Sequence, residues 1–119
     1  MANAGYDAAR RGFLAGELDW DAQSFTLGVY GADLAFDPAH DTLSDISATA
    51  LTTAAFSGKT VSTTGVANAD PTTVTVDIGD TARAYLVYRD TGNASTSTLV
   101  CFIDTNNDQS NINRAGDGN

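Results

Sequence analysis

Alternation of apolar and polar residues at every second position most restricts what this chain can become. In Ser24–Tyr30, Phe25, Leu27 and Val29 alternate with Thr26 and Gly28. In Thr72–Ile78, Val74, Val76 and Ile78 lie on one face, and Thr73, Thr75 and Asp77 on the other. A period of two is that of a β-strand with one buried face. Ala82–Arg89 carries bulk on both faces: Arg83, Tyr85, Val87 and Arg89 on one, Ala82, Ala84, Leu86 and Tyr88 on the other. That predicts a strand covered on both sides. Thr98–Ile103 sets Leu99, Cys101 and Ile103 opposite Val100 and Phe102. The polar stretch Asp90–Ser97, containing Thr91-Gly92-Asn93, predicts an antiparallel hairpin between these last two strands. Thr60–Ala67 reads as a weaker strand, Leu43–Ile46 as a single helical turn, and Ala48–Phe56 fits strand or helix equally.

One segment departs from this period. In residues 6–15, Ala9 and Phe13 are four apart, as are Leu14 and Leu18, and Tyr6 and Phe13 are seven apart, which predicts a short amphipathic helix with one apolar stripe. Asn3 or Asp7 suits its start and Gly16 its end, while Gly12 weakens it by about 1 kcal/mol relative to Ala. Composition agrees with a β chain rich in turns. Glu17 and Lys59 are the only residues of their kinds, and Ala, Thr, Gly, Asp and Ser dominate. The expected fold is therefore mainly β: a small antiparallel sandwich or barrel of about six to eight strands behind one short N-terminal helix. With 119 residues there is room for one domain, with a folded core over 6–105 and a polar tail over 106–119 that is expected to be loose, since only Ile112 interrupts its polar run.

Charge excludes some partners. Six Lys and Arg stand against fifteen Asp and Glu, a net charge of −9. Nucleic-acid binding requires neutralised phosphates, and anionic membranes require basic clusters, so neither is expected as a partner. No apolar run is long enough to span a bilayer. The start, Met1–Gly5, has neither the basic residues nor the apolar stretch of a signal peptide.

Residues suited to catalysis are few. His40, the single histidine, lies in the loop Asp37-Pro38-Ala39-His40-Asp41 with no nucleophile motif nearby, and the single cysteine, Cys101, sits in an apolar strand, where a thiol behaves as a small hydrophobe. Both are read as structural. Ser57-Gly58-Lys59-Thr60 lacks the upstream glycine of a phosphate loop and runs into strand-like residues, so it is a turn. Asp104-Thr105-Asn106-Asn107-Asp108 spaces oxygen ligands as a calcium loop begins, but Gln109 and Ala115 replace the required Gly and Glu, which favours a solvated Asx-rich loop. The pairs Asp19/Asp21 and Asp77/Asp80 are expected in a chain with fifteen acids and are read as surface charge. No catalytic residue, metal site or cofactor is expected.

Two stretches nevertheless form a recognisable pattern. One is Tyr6-Asp7-Ala8-Ala9-Arg10-Arg11-Gly12-Phe13-Leu14-Ala15-Gly16-Glu17-Leu18-Asp19-Trp20. The other is Thr81-Ala82-Arg83-Ala84-Tyr85-Leu86-Val87-Tyr88-Arg89-Asp90-Thr91-Gly92, followed by Ser97–Thr105. Between them His40–Ile46, Leu51-Thr52 and Gly58–Val61 fall in the same order. Over most of residues 6–105 the chain resembles small virion structural proteins of tailed bacteriophages, of the capsid-decoration or cement kind. Members continue past this point with a segment resembling a final strand, which the polar residues Asn107–Asn119 do not match.

The resemblance implies a non-enzymatic protein on the outer capsid surface, assembled in the host cytoplasm, bridging subunits of the major capsid protein and itself a homotrimer. Repulsion from packaged DNA fits an outer position for so acidic a chain. A head–tail connector or tail-associated component is the second reading. A displayed glycan-binding β-sandwich, with Trp20, Tyr30, Tyr85 and Tyr88 as an aromatic platform, is the third. The partner-binding residues expected are Arg10, Arg11 and Trp20: an adjacent arginine pair is a local exception in an acidic chain, and arginine and tryptophan are favoured at interfaces. An equally simple role for the arginines is to offset Asp7, Glu17 and Asp19 on their own surface.

Overall fold

The computed structural model describes residues 3–106 and 110–118. Its centre is a five-stranded antiparallel sheet of β1 (Ala4–Gly5), β2 (Phe25–Tyr30), β3 (Thr52–Ala55), β7 (Ala84–Arg89) and β8 (Leu99–Ile103), in the order β1-β8-β7-β2-β3. Two ribbons complete the strands among the described residues: β4 (Thr60–Val61) with β5 (Ala67–Asn68), and β6 (Thr81–Ala82) with β9 (Arg114–Ala115). Helix α1 (Asp7–Leu14) is the one α-helix among them. The fold is mainly β, as expected. Its main sheet is open, with β1 and β3 at the edges, so the barrel alternative does not apply.

The strand predicted to be covered on both faces, β7, is the middle one. Its partner β2 runs antiparallel from Phe25↔Arg89 to Tyr30↔Ala84, and β8 pairs Leu86↔Phe102 and Val87↔Cys101 on the other side. Ala84, Leu86 and Tyr88 face one side with Tyr30 and Phe102, joined by Tyr6, Leu34 and Leu99 in the main core. Among the described residues no second sheet covers this face. The segment from Leu34 to Ala50 does so instead, laying Phe36, Leu43, Ile46 and Ala48 against the cluster. The single helical turn expected near Leu43 is a 3-10 turn, Leu43–Asp45, in this cover. The opposite face carries Phe25 and Val29, both fully buried, with Val87 and Tyr85.

Four expectations need correction. Thr72–Ile78 does not form a strand. Its alternation survives as exposure, with Thr72, Val74 and Val76 half-buried and Thr73, Thr75 and Asp77 exposed, but no neighbouring strand forms a ladder with it, and Ile78 is 81% exposed. Thr60–Ala67 is a hairpin, β4 and β5, that turns through Gly65 at a left-handed φ of 81°. The strict alternation of Thr98–Ile103 breaks at a bulge: Leu99 pairs with Tyr88 and Cys101 with Val87, leaving Val100 as the extra residue. Leu99 thus joins Phe102 in the main core, and Val100 turns with Cys101 to the other face. Finally, the segment after 105 is not loose throughout. Thr105 bridges Asn111, Ile112 is buried, and Arg114–Ala115 pairs with Thr81–Ala82, supplying a last strand.

Candidate functional site

Helix α1 builds one wall of an apolar opening on the surface. The helix turns small residues inward: Ala8, Ala9 and Gly12 are buried, while Phe13 is 41% and Leu14 90% exposed. The apolar stripe read from the sequence is therefore only half realised, because the body accepts the alanine side of the helix. Gly12 explains why. A Cβ there would lie 2.7 Å from the Leu18 side chain, and the Gly12 carbonyl accepts hydrogen bonds from the Glu17 and Leu18 N–H groups at 2.8 and 3.1 Å. Gly16 then turns the chain at φ 76°, as the sequence suggested, and Leu18 folds back under the helix.

Trp20 follows on this return. Its ring packs on Phe25 and Phe56, with centroids 4.8 and 5.6 Å away, and its indole N–H donates to the Asn68 carbonyl of β5 at 3.0 Å. It thereby fastens the β4–β5 ribbon beside α1. Between ribbon and helix runs an open groove of about 630 Å³. Phe13 and Trp20 wall it on one side, Val61 and Ala67 on the other, with Val87, Val100 and Cys101 lining it from the sheet. The bulge in β8 is what presents both Val100 and Cys101 here. Burial pushes the Cys101 thiol up to about 11, so it remains protonated at neutral pH and adds to the apolar lining.

Of the three residues expected to bind a partner, Trp20 is at this groove and the two arginines are not. Arg10 is paired with Asp7 on the helix. Arg11 reaches across to Asp41 at 3.1 Å, tying α1 to the loop over the opposite face. Both guanidinium groups stay largely in water, where such pairs contribute little. The partners are thus Asp7, one of the acids expected, and Asp41, rather than Glu17 or Asp19. Arg11, Glu17, Asp41 and Arg89 surround a second, wider depression of about 740 Å³ on the helix's other side.

The aromatic platform does not assemble. Tyr30 and Tyr88 are buried in the main core, Tyr85 belongs to the other face, and Trp20 is packed on two phenylalanines. His40 lies in the loop over the main core, 3.7 Å from Asp37, with its other nitrogen lacking a hydrogen-bond partner among the described residues. Cys101 is on the opposite face. Asp19 and Asp21 do meet: the protonated Asp21 carboxyl donates a side-chain hydrogen bond to Asp19, and the Asp19 charge acts in the same direction, so Asp21 is held above the ordinary carboxylate value, in solvent. Asp77 and Asp80 share only a backbone turn, with the Asp80 N–H donating to the Asp77 carbonyl. In the segment compared with a calcium loop, Asn3 accepts from the Asp104 and Thr105 N–H groups, while Asn107, Asp108 and Gln109 lie outside the described residues. Among the described residues no group of three His, Cys, Asp or Glu side chains is placed to hold a metal, and no helix is long and apolar enough to cross a membrane.

The groove was not legible beforehand. Phe13 and Val61 look like ordinary core positions in the sequence, and the bulge has no sequence signature. Only Trp20, the single tryptophan, pointed to it. No protein-family model, curated protein or solved structure matches the chain.

Proposed function

We propose that this chain is a non-enzymatic structural protein of a tailed-phage virion that decorates the outer capsid as a homotrimer and bridges subunits of the major capsid protein. The observation that supports assembly is the exposure of apolar residues that line the groove. Phe13 and Val61 both line it and stand about half in water. Contiguous apolar surface of this kind is costly in isolation and marks a contact site. The virion setting rests on the sequence resemblance over residues 6–105.

Purified particles of the phage concerned provide the test. Mass-spectrometric counting is expected to find this chain in numbers comparable with the major capsid protein. Copies sufficient only for one ring support the connector reading instead, and absence from the particle overturns the proposal. Arg10→Glu together with Arg11→Glu addresses the arginines directly: if they contact the shell, occupancy falls and becomes more sensitive to salt. Deleting the N-terminal segment is not an equivalent experiment, because Tyr6 is fully buried and Ala4–Gly5 pair with Cys101 and Phe102.

A further inference from the structure

We propose that the groove between α1 and the β4–β5 ribbon docks a short apolar segment of a partner protein that carries lysine or arginine beside its apolar residues. This deepens the assembly reading and rests on it only in treating the groove as a contact surface.

Size is the first argument. A cleft of about 630 Å³ falls in the range that encloses a few side chains. The groove therefore has room for an inserted segment.

Its lining sets the chemistry of the insert. Phe13 is stacked nearly parallel to Phe25 at 6.4 Å, Trp20 is pinned by Asn68, and the bulged pair Val100 and Cys101 adds no charge. These groups are held in place before anything binds, so an apolar insert gains burial without much ordering of the site.

Charge decides which insert. Asp19 lines the groove, and Asp21 meets Asp19 through a side-chain hydrogen bond. Lys59 is the one cation felt by Asp21 there. A second copy of this chain would bring another −9 to an already acidic rim. A segment with basic flanks meets complementary charge instead, which speeds its approach and selects it over acidic competitors.

Trp20 makes the test direct, because it is the single tryptophan and forms part of the wall. The purified chain is titrated with a tryptophan-free peptide of leucine and isoleucine flanked by lysines, and with its glutamate-flanked counterpart. A saturable blue shift of Trp20 emission is expected with the lysine peptide, at an affinity about tenfold or more above that of the glutamate peptide at low salt. Added salt is expected to narrow that gap. Val61→Asp should abolish the shift while leaving thermal melting near that of the parent, since Val61 is exposed. Phe13→Asn serves the same purpose should Val61→Asp fail to fold. Asp19→Asn with Asp21→Asn should erase the preference between the peptides.

No saturable shift with either peptide overturns the proposal, as does equal binding of both. A blue shift that grows with protein concentration alone and vanishes in Val61→Asp also overturns it, by showing that a second copy fills the groove. Copy number on particles is measured independently. Failure here with high capsid occupancy removes the insert and leaves the decoration reading standing; peptide binding by a chain absent from particles does the reverse.

Discussion

The two faces of the main sheet are finished differently. One is sealed: Tyr6, Tyr30, Leu86, Leu99 and Phe102 are roofed by the irregular segment from Leu34 to Ala50. The other is covered at its ends and open between them, with α1, Trp20 and Phe56 over Phe25 at one end and residues 72–76 and 114–117 around Val29 and Tyr85 at the other. Irregular backbone can therefore seal a sheet as well as a second sheet does, provided it brings large apolar side chains. The 34–50 segment has them. The β4–β5 ribbon, built from Thr60, Val61, Ala67 and Asn68, has one, and the groove lies beside it.

The largest expected effect tests that contrast. Leu86→Ala on the sealed face should cost about 2–5 kcal/mol in denaturant unfolding, because Leu86 is fully buried and its neighbours can collapse only partly into the space. Val61→Ala on the open side should stay within about 0.5 kcal/mol, as surface substitutions do. Comparable losses at the two positions would mean that the groove is closed in solution and that the faces do not differ.

A smaller loss is expected where the open face is closed by the end of the chain. The Gly116 N–H donates to the Asp80 carbonyl at 2.7 Å and the Gly118 N–H to the Val76 carbonyl at 3.0 Å. A Cβ on Gly116 would come within 1.9 Å of the Asp77 carbonyl oxygen, which is backbone and cannot rotate away. Gly116→Ala should therefore destabilise by about 1–3 kcal/mol and raise amide exchange at Ala82, the strand partner of Arg114. Unchanged exchange would show that the segment contributes nothing to closing this face.

These two regions also differ in how far the sequence announced them. Phe25–Tyr30, Ala84–Arg89 and Leu99–Ile103 were expected within two residues of where they lie, because each pairs a strong period of two with enough bulk to need burial. The same period in Thr72–Ile78 was a true statement about exposure and a misleading one about pairing. Alternation reports which side chains face inward; it does not supply a neighbouring strand. The tail failed for the converse reason. Its few apolar atoms predicted looseness, yet among the described residues Ile112 is buried and Arg114–Ala115 pairs with Thr81–Ala82 in a two-stranded ribbon, so backbone hydrogen bonds supply what apolar burial does not. Of the site, Trp20 alone was anticipated. Phe13 reads as core, and its exposure follows from Gly12 and Leu18, whose contact no periodicity encodes.

Tyr6 sharpens the sealed side. Its ring is fully buried against Phe36, with centroids 4.9 Å apart, and its hydroxyl has no hydrogen-bond partner among the described residues. Burial first, then nearby Cys101, Tyr30 and Asp37, push that phenol up to about 12, so it stays neutral over the ordinary pH range. A hydroxyl buried without a partner is a cost that phenylalanine avoids while keeping the shape. Tyr6→Phe is expected to leave stability unchanged or to raise it by about 1 kcal/mol. A clear loss would reveal a bond to the hydroxyl and a seal less apolar than described.

The smallest effect concerns how the cover over the sealed face is fastened. The Asp45 carboxylate accepts hydrogen bonds from the Asp41 N–H at 2.8 Å and the Thr42 N–H at 3.2 Å, fixing the turn that delivers Leu43 and Ile46 to the core. The Asp41 bond foremost, then the Thr42 bond, hold the Asp45 carboxyl below its ordinary value, with nearby His40 adding in the same direction. The sign follows from that depression. Ionised Asp45 is favoured more in the folded chain than in the unfolded one, so its contribution is present above the unfolded value of about 3.9 and fades as acid takes the pH down through the lower folded value. Asp45→Asn keeps an acceptor oxygen but cannot titrate. It should begin slightly less stable than the parent at neutral pH and lose less on acidification, so the two melting curves approach each other below about pH 4. Because Asp45 is in solvent, the gap should also shrink with salt. Parallel curves down to strong acid would separate this turn from the stability of the sealed face and leave Leu43 and Ile46 held by packing alone.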